Sequence, residues 1–156
     1  MIVIPQLVNR LAGIELVTSE VDSLCQFYHC AFGFCAIANE PHSGLDVEHQ
    51  GTADGGARRM TLGLGRESVV LLQFDRPGRP YPSPASSTDL IFQHFAIVVA
   101  DMGEAYRRLL AVGGWTAIST KGPQHLPRSS GGLTAFKLRD PDGPARTARF
   151  SPRERS

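Results

Sequence analysis

Two stretches of the chain open with a short aliphatic run, Ile14 to Thr18 and Phe95 to Val99, of the residue types that strands favour. Behind each, the apolar period changes from strand to helix. Val21, Leu24, Cys25, Tyr28, Ala31 and Phe32 recur at helical spacing, and so do Met102, Ala105, Tyr106, Leu109 and Leu110. Ser19 and Asp101 stand where helix N-caps are wanted. Gly33 and the Gly113-Gly114 pair stand where left-handed C-caps end helices. The two units overlay without a gap, so that Val17 meets Val98, Glu20 meets Asp101, Gly33 meets Gly114 and Phe34 meets Trp115. The chain is therefore read as an internal repeat of a strand–helix unit.

Strand-like segments follow each helix. In the first repeat "FCAIANE", "RRMTLGLG" and "SVVLLQF" predict three strands, with a polar Gly/His loop from Pro41 to Ala57. In the second, "WTAIST" and "LTAFKLRD" predict two. The third should come after the Asp140-Pro141-Asp142-Gly143 turn, in which Pro141 pre-sets φ. The turn leads instead into Pro144-Ala145-Arg146-Thr147-Ala148-Arg149, with arginines where a core strand carries apolar side chains. Synonymous codons permit a one-base frameshift after about Gly143 that restores an aliphatic strand. As it stands, the segment is expected to pair weakly as an edge strand, and 151–156 to form a disordered tail. The pattern predicts one domain of two βαβββ modules, 11–75 and 92–150, joined by a Pro/Ser-rich linker over 76–91. Neither module closes a core alone.

Composition narrows the function classes. At 156 residues, 42% apolar and 20% charged, the chain is long enough to bury a core. A formal charge of +1 gives no case for a nucleic-acid partner. No apolar run reaches the ~20 residues that cross a bilayer, and "MIVIPQLVNR" lacks the basic and apolar regions of a signal peptide. A cytoplasmic protein is expected. Cys25, Cys30 and Cys35, five apart, match neither a metal knuckle nor a disulfide framework, and read as small buried apolar residues.

The units "LVTSEVDSLCQFYHCAFGF", "FQHFAIVVADMGEAYRRLLAVG" and above all "GGLTAFKLRDPDG" resemble the vicinal oxygen chelate superfamily, which includes glyoxalase I, bleomycin resistance proteins and extradiol dioxygenases. The resemblance implies an α+β fold, with two βαβββ modules forming curled mixed sheets around a cavity and helices on the outer faces. It also implies a homodimer and a small-molecule ligand, with neither nucleic acid nor membrane as partner. In the family's enzymes a divalent ion takes donors from the first and last strand of each module. The matching positions here are Gly13, Val70, His94 and Arg146, of which only His94 is a ligand type.

Two readings stay open at this point. In one, a glyoxalase- or dioxygenase-like enzyme acts on a small oxygenated metabolite, with His94 as metal ligand or acid–base group and Glu15 as its partner. Period-2 alternation puts Glu15 on the cavity side and Gln73 on the other. In the other, a metal-free protein holds an organic molecule against walls of Val70, Leu72, Ala96 and Val98. The loop carrying Lys121, His125 and Arg128 would attract an anionic group. No cofactor is expected from the residues as they stand, a divalent metal being the alternative. His29 is expected on an exposed helix face, and His42 and His49 in a solvated loop.

Overall fold

The computed structural model describes residues 13–42, 56–80, 94–130, 132–142 and 148–152. The first module is β1 (Ile14–Val17), α1 (Val21–Phe32), β2 (Cys35–His42), β3 (Ala57–Leu64) and β4 (Glu67–Phe74). Its sheet has the order β1-β4-β3-β2, with β1 parallel to β4 and the other pairs antiparallel. Gly65, at φ +62° in the first of two turn positions, closes the β3–β4 hairpin with the φ of a II′ turn.

The second module repeats this plan in shorter pieces. It holds β5 (Phe95–Val99), α2 (Met102–Val112), β6 (Thr116–Ala117), β7 (Gln124–His125), β8 (Thr134–Ala135), β9 (Leu138–Arg139) and β10 (Ala148–Pro152). The expected strand "WTAIST" shrinks to β6 because the N–H groups of Ile118 and Ser119 both donate to Lys137 O, at 2.9 and 3.0 Å. Two donors on one acceptor interrupt the ladder. "LTAFKLRD" likewise divides into β8 and β9.

β10 pairs parallel with β5, as β4 does with β1, so the arginine-rich segment does supply the last strand. It does so three residues later than Arg146, the last-strand position that the resemblance implies. Arg149, opposite Ala96, holds the place that Val70 holds opposite Glu15. Arg146 lies outside the described residues, as does His49. Ser151 and Pro152 continue β10 into the segment expected to be a tail.

The helix caps differ from expectation in an instructive way. Asp101 caps α2, its Oδ1 accepting from the Glu104 N–H at 2.9 Å. Ser19 does not cap α1. Glu20 is the N-cap residue without a side-chain bond, and the Val21 N–H donates instead to Gln73 Oε1 at 3.0 Å, from 52 residues away. Gly33 is the expected left-handed C-cap at φ 78°, whereas Gly113 has φ 69° with extended ψ. His29 is exposed, and its Nδ1 lies 2.7 Å from Phe34 O.

One face of the first sheet presents Leu16, Met60, Leu62, Val69 and Leu71 to α1. The same apolar cluster takes in Ile97, Ala105, Leu109, Phe136 and Leu138 of the second module. The helices pack against each other as well as on their sheets. Cross-module rings reinforce this layer, with Tyr28 stacked on Phe95 at 6.1 Å between centroids. The cysteines are not core residues: Cys25 is half-buried, Cys30 and Cys35 are exposed, and all three are free thiols. Burial, then the Asp22 charge, pushes the Cys25 thiol up. Among the described residues no helix is long and apolar enough to cross a membrane.

Candidate functional site

The sheet faces away from the helices define where a ligand can sit. Pairing places Glu15 beside Val70 and Thr61, and Val17 beside Leu72 and Arg59. Gln73 points the other way, to the start of α1, as alternation requires. Val70 (6% exposed) and Leu72 (1%) are buried yet stand outside the apolar cluster under the helices. On the second module the corresponding face of β5 bears Ala96 and Val98, both exposed.

Between the modules lies an open cleft of about 900 Å³. Its walls come from the start of β1 (Gly13, Ile14), the end of α1 (Phe32, Phe34), the β3–β4 turn and the whole length of β5. Phe32, Phe34, Phe95, Ala96 and Val98 make it mainly apolar. Glu67, Ser68, Asp101, Glu104 and Arg108 give it a polar rim. The charges of the α2 part of that rim are largely spent: Asp101 caps the helix and Glu104 pairs with both Arg107 and Arg108. The Arg108 bond, then the Arg107 charge, holds the Glu104 carboxyl below the usual range.

Of the residues singled out from sequence, Ala96 and Val98 line this cleft. Glu15 stands beside it, two residues from Gly13 along β1, and pairs with Arg59 (Nη2–Oε1 3.5 Å). His94 is half-buried at the residue before β5. Val70 and Leu72 are not cleft-lining residues. His125 belongs to the exposed strand β7 rather than to a loop, and Arg128 is exposed in a 3-10 turn, so neither is among the residues at the cleft. Sequence reasoning missed Phe32, Phe34 and Phe95, whose helical or strand period reads as core.

A divalent ion does not fit the positions that the resemblance implies. Gly13 offers no donor, and a Cβ there would lie 3.3 Å from both the carbonyl and the hydroxyl oxygen of Ser68, closer than ordinary contact. Val70 is apolar and buried. The matching position of the second module is Arg149 by strand register, a cationic residue type. Among the described residues no three His, Cys, Asp or Glu side chains stand together as a metal-binding group.

Comparison with known proteins agrees with this architecture. The model of the Glyoxalase/Bleomycin resistance protein/Dioxygenase superfamily matches residues 10–145, and the chain belongs to that superfamily. A glyoxalase family protein from Bacillus cereus superposes with a TM-score of 0.76 at 13% identity, covering 97% of this chain and 100% of that one. TioX from Micromonospora sp. ML1 superposes at 0.59 with 21% identity, covering 92% and 98%. The fosfomycin resistance protein FosX from Listeria monocytogenes superposes at 0.59 with 11% identity, covering 95% and 94%. At these identities the likeness is one of fold. No curated protein sequence matches the chain significantly.

Proposed function

We propose that this protein binds a small, largely apolar organic molecule in the cleft between its modules, and does so without a divalent ion. The observation that carries the reading is Gly13, packed against Ser68 at the mouth of an aromatic-walled cleft where a metal enzyme of this fold needs a donor. Phe32 and Phe95 supply flat apolar surface, and the Ser68 side chain and backbone groups near Gly13 supply polar anchors. The superfamily takes in bleomycin resistance proteins beside its enzymes, so a binding role is consistent with membership. In this reading two copies face each other, because Val17 (54% exposed) and Val98 (57%) leave apolar surface open on the helix-free faces of β1 and β5.

Thermal-shift screening with a panel of aromatic metabolites and antibiotics tests the proposal. Hits are expected to raise the melting temperature, and Val98→Trp, which fills the cleft wall, is expected to remove the shift. Hits that stabilise Val98→Trp as well as the parent protein would contradict it.

A further inference from the structure

Every residue of β5, Phe95–Val99, lines the cleft. Side chains alternate along a strand, so no single face of β5 accounts for that. Phe95, Ile97 and Val99 pack with the apolar cluster, and Ala96 and Val98 stand exposed on the opposite side. What these residues share is a backbone edge, and it is the edge that meets the cleft. β10 takes the other edge of β5. Among the described residues, Phe95–Val99 make no backbone hydrogen bond beyond that ladder.

The repeat identifies the groups left over. In β1 the Thr18 N–H donates to Leu72 O at 2.8 Å. Leu16 and Thr18 therefore turn their backbone groups to β4, and Glu15 and Val17 turn theirs away. Ala96 and Val98 hold the places of Glu15 and Val17, with Ile97 buried as Leu16 is. Their N–H and C=O groups point into the cleft, about 7 Å apart along the strand. Any ligand that displaces water there has to satisfy them.

We propose that the cleft takes an extended, amide-linked ligand, a short apolar peptide, which pairs along β5 as an added strand. A purely apolar molecule in the same place strips water from the Ala96 and Val98 backbone groups and leaves them unpaired, at a cost. A peptide backbone supplies donors and acceptors at the matching spacing. β5 is about 13 Å long, room enough for a tripeptide. Side chains on the helix side of that peptide meet Phe32 and Phe95. The inference rests on the reading that the cleft holds an apolar ligand, and it narrows that ligand's class.

The test is amide hydrogen exchange of the isotope-labelled full chain by NMR, with and without acetyl-valyl-phenylalanyl-valine amide. In the free protein Ala96 and Val98 are expected to exchange quickly, and Ile97 and Val99, held by β10, slowly. Saturating peptide is expected to slow Ala96 and Val98 by about tenfold, the weight of one or two amide hydrogen bonds. The same peptide methylated on every backbone nitrogen keeps its side chains and loses its donors. It is expected to bind about tenfold more weakly in calorimetric titration. Equal affinity for the two peptides, or bound peptide that leaves Ala96 and Val98 unprotected, overturns the proposal. So does protection of these amides that grows with protein concentration in the absence of peptide, which gives the edge to a second copy. A thermal-shift ligand that binds where the peptide does not overturns strand pairing and leaves the cleft reading standing. Failure of every ligand to bind defeats both.

Discussion

The phenol of Tyr28 donates a 2.9 Å hydrogen bond to Oδ2 of Asp140, 112 residues away, and both side chains are buried. The bond ties the first-module helix to the turn that follows β9 in the second. It gives the Asp-Pro-Asp turn a physical role, since a carboxylate at its first position can be buried only with partners. Tyr28→Phe is expected to lower stability by about 1–2 kcal/mol, read as a lower urea midpoint with unchanged slope. A midpoint equal to that of the parent protein would mean that the bond adds nothing to the join.

Both helices are capped by side chains, one local and one remote. Asp101→Ala and Gln73→Ala are each expected to cost about 1 kcal/mol. The Gln73 result is the sharper, because Gln73 sits on β4 and touches no neighbour in sequence at α1. Urea denaturation of the two variants and of their combination should give additive losses, as the caps belong to different helices.

Gly13 is expected to resist any side chain. A methyl group there meets the Ser68 oxygens at 3.3 Å, so Gly13→Ala should destabilise by roughly 1 kcal/mol, the scale of mild overpacking. Gly13→Ala in a Ser68→Gly background should recover part of that loss, because one of the two oxygens is then gone. A double-mutant cycle with no coupling would show that the close approach is relieved elsewhere.

The surface ion pairs predict a pH dependence. The hydrogen bond from Arg58 holds the Asp22 carboxyl below its ordinary value, and Arg108 and Arg107 do the same for Glu104. A folded-state carboxyl of depressed pKa adds stability that is fully present above the ordinary carboxylate value of about 4. That contribution is lost as pH falls further, through the lower folded values. Both pairs are solvent-exposed, so the effect is small. Urea midpoints should decline below about pH 4, and the Asp22→Asn/Glu104→Gln variant should show a flatter decline.

The first module was legible in the sequence because its later strands are long and alternate, and because Gly33 ends α1 by a local rule. The limits of α1, 21 and 32, follow from the apolar period alone. The second module was harder to read, since its ladder breaks where Ile118 and Ser119 share one carbonyl, an event set by Lys137 rather than by local residues. Cap assignment at α1 failed for the same reason: Gln73 acts from another strand. At the site, Ala96 and Val98 followed from alternation. The aromatic walls did not, because a residue packed half against a core and half against a cleft has the same period as one packed wholly in the core. The last-strand position fell at Arg149 instead of Arg146, with eight residues between β9 and β10 against two between β3 and β4.

Ligand binding without a metal is tested by calorimetric titration of the best thermal-shift ligand into the protein, once after exhaustive chelation and once with excess Mn²⁺. The same dissociation constant is expected in both. A ligand that binds only with the metal present would contradict the metal-free reading.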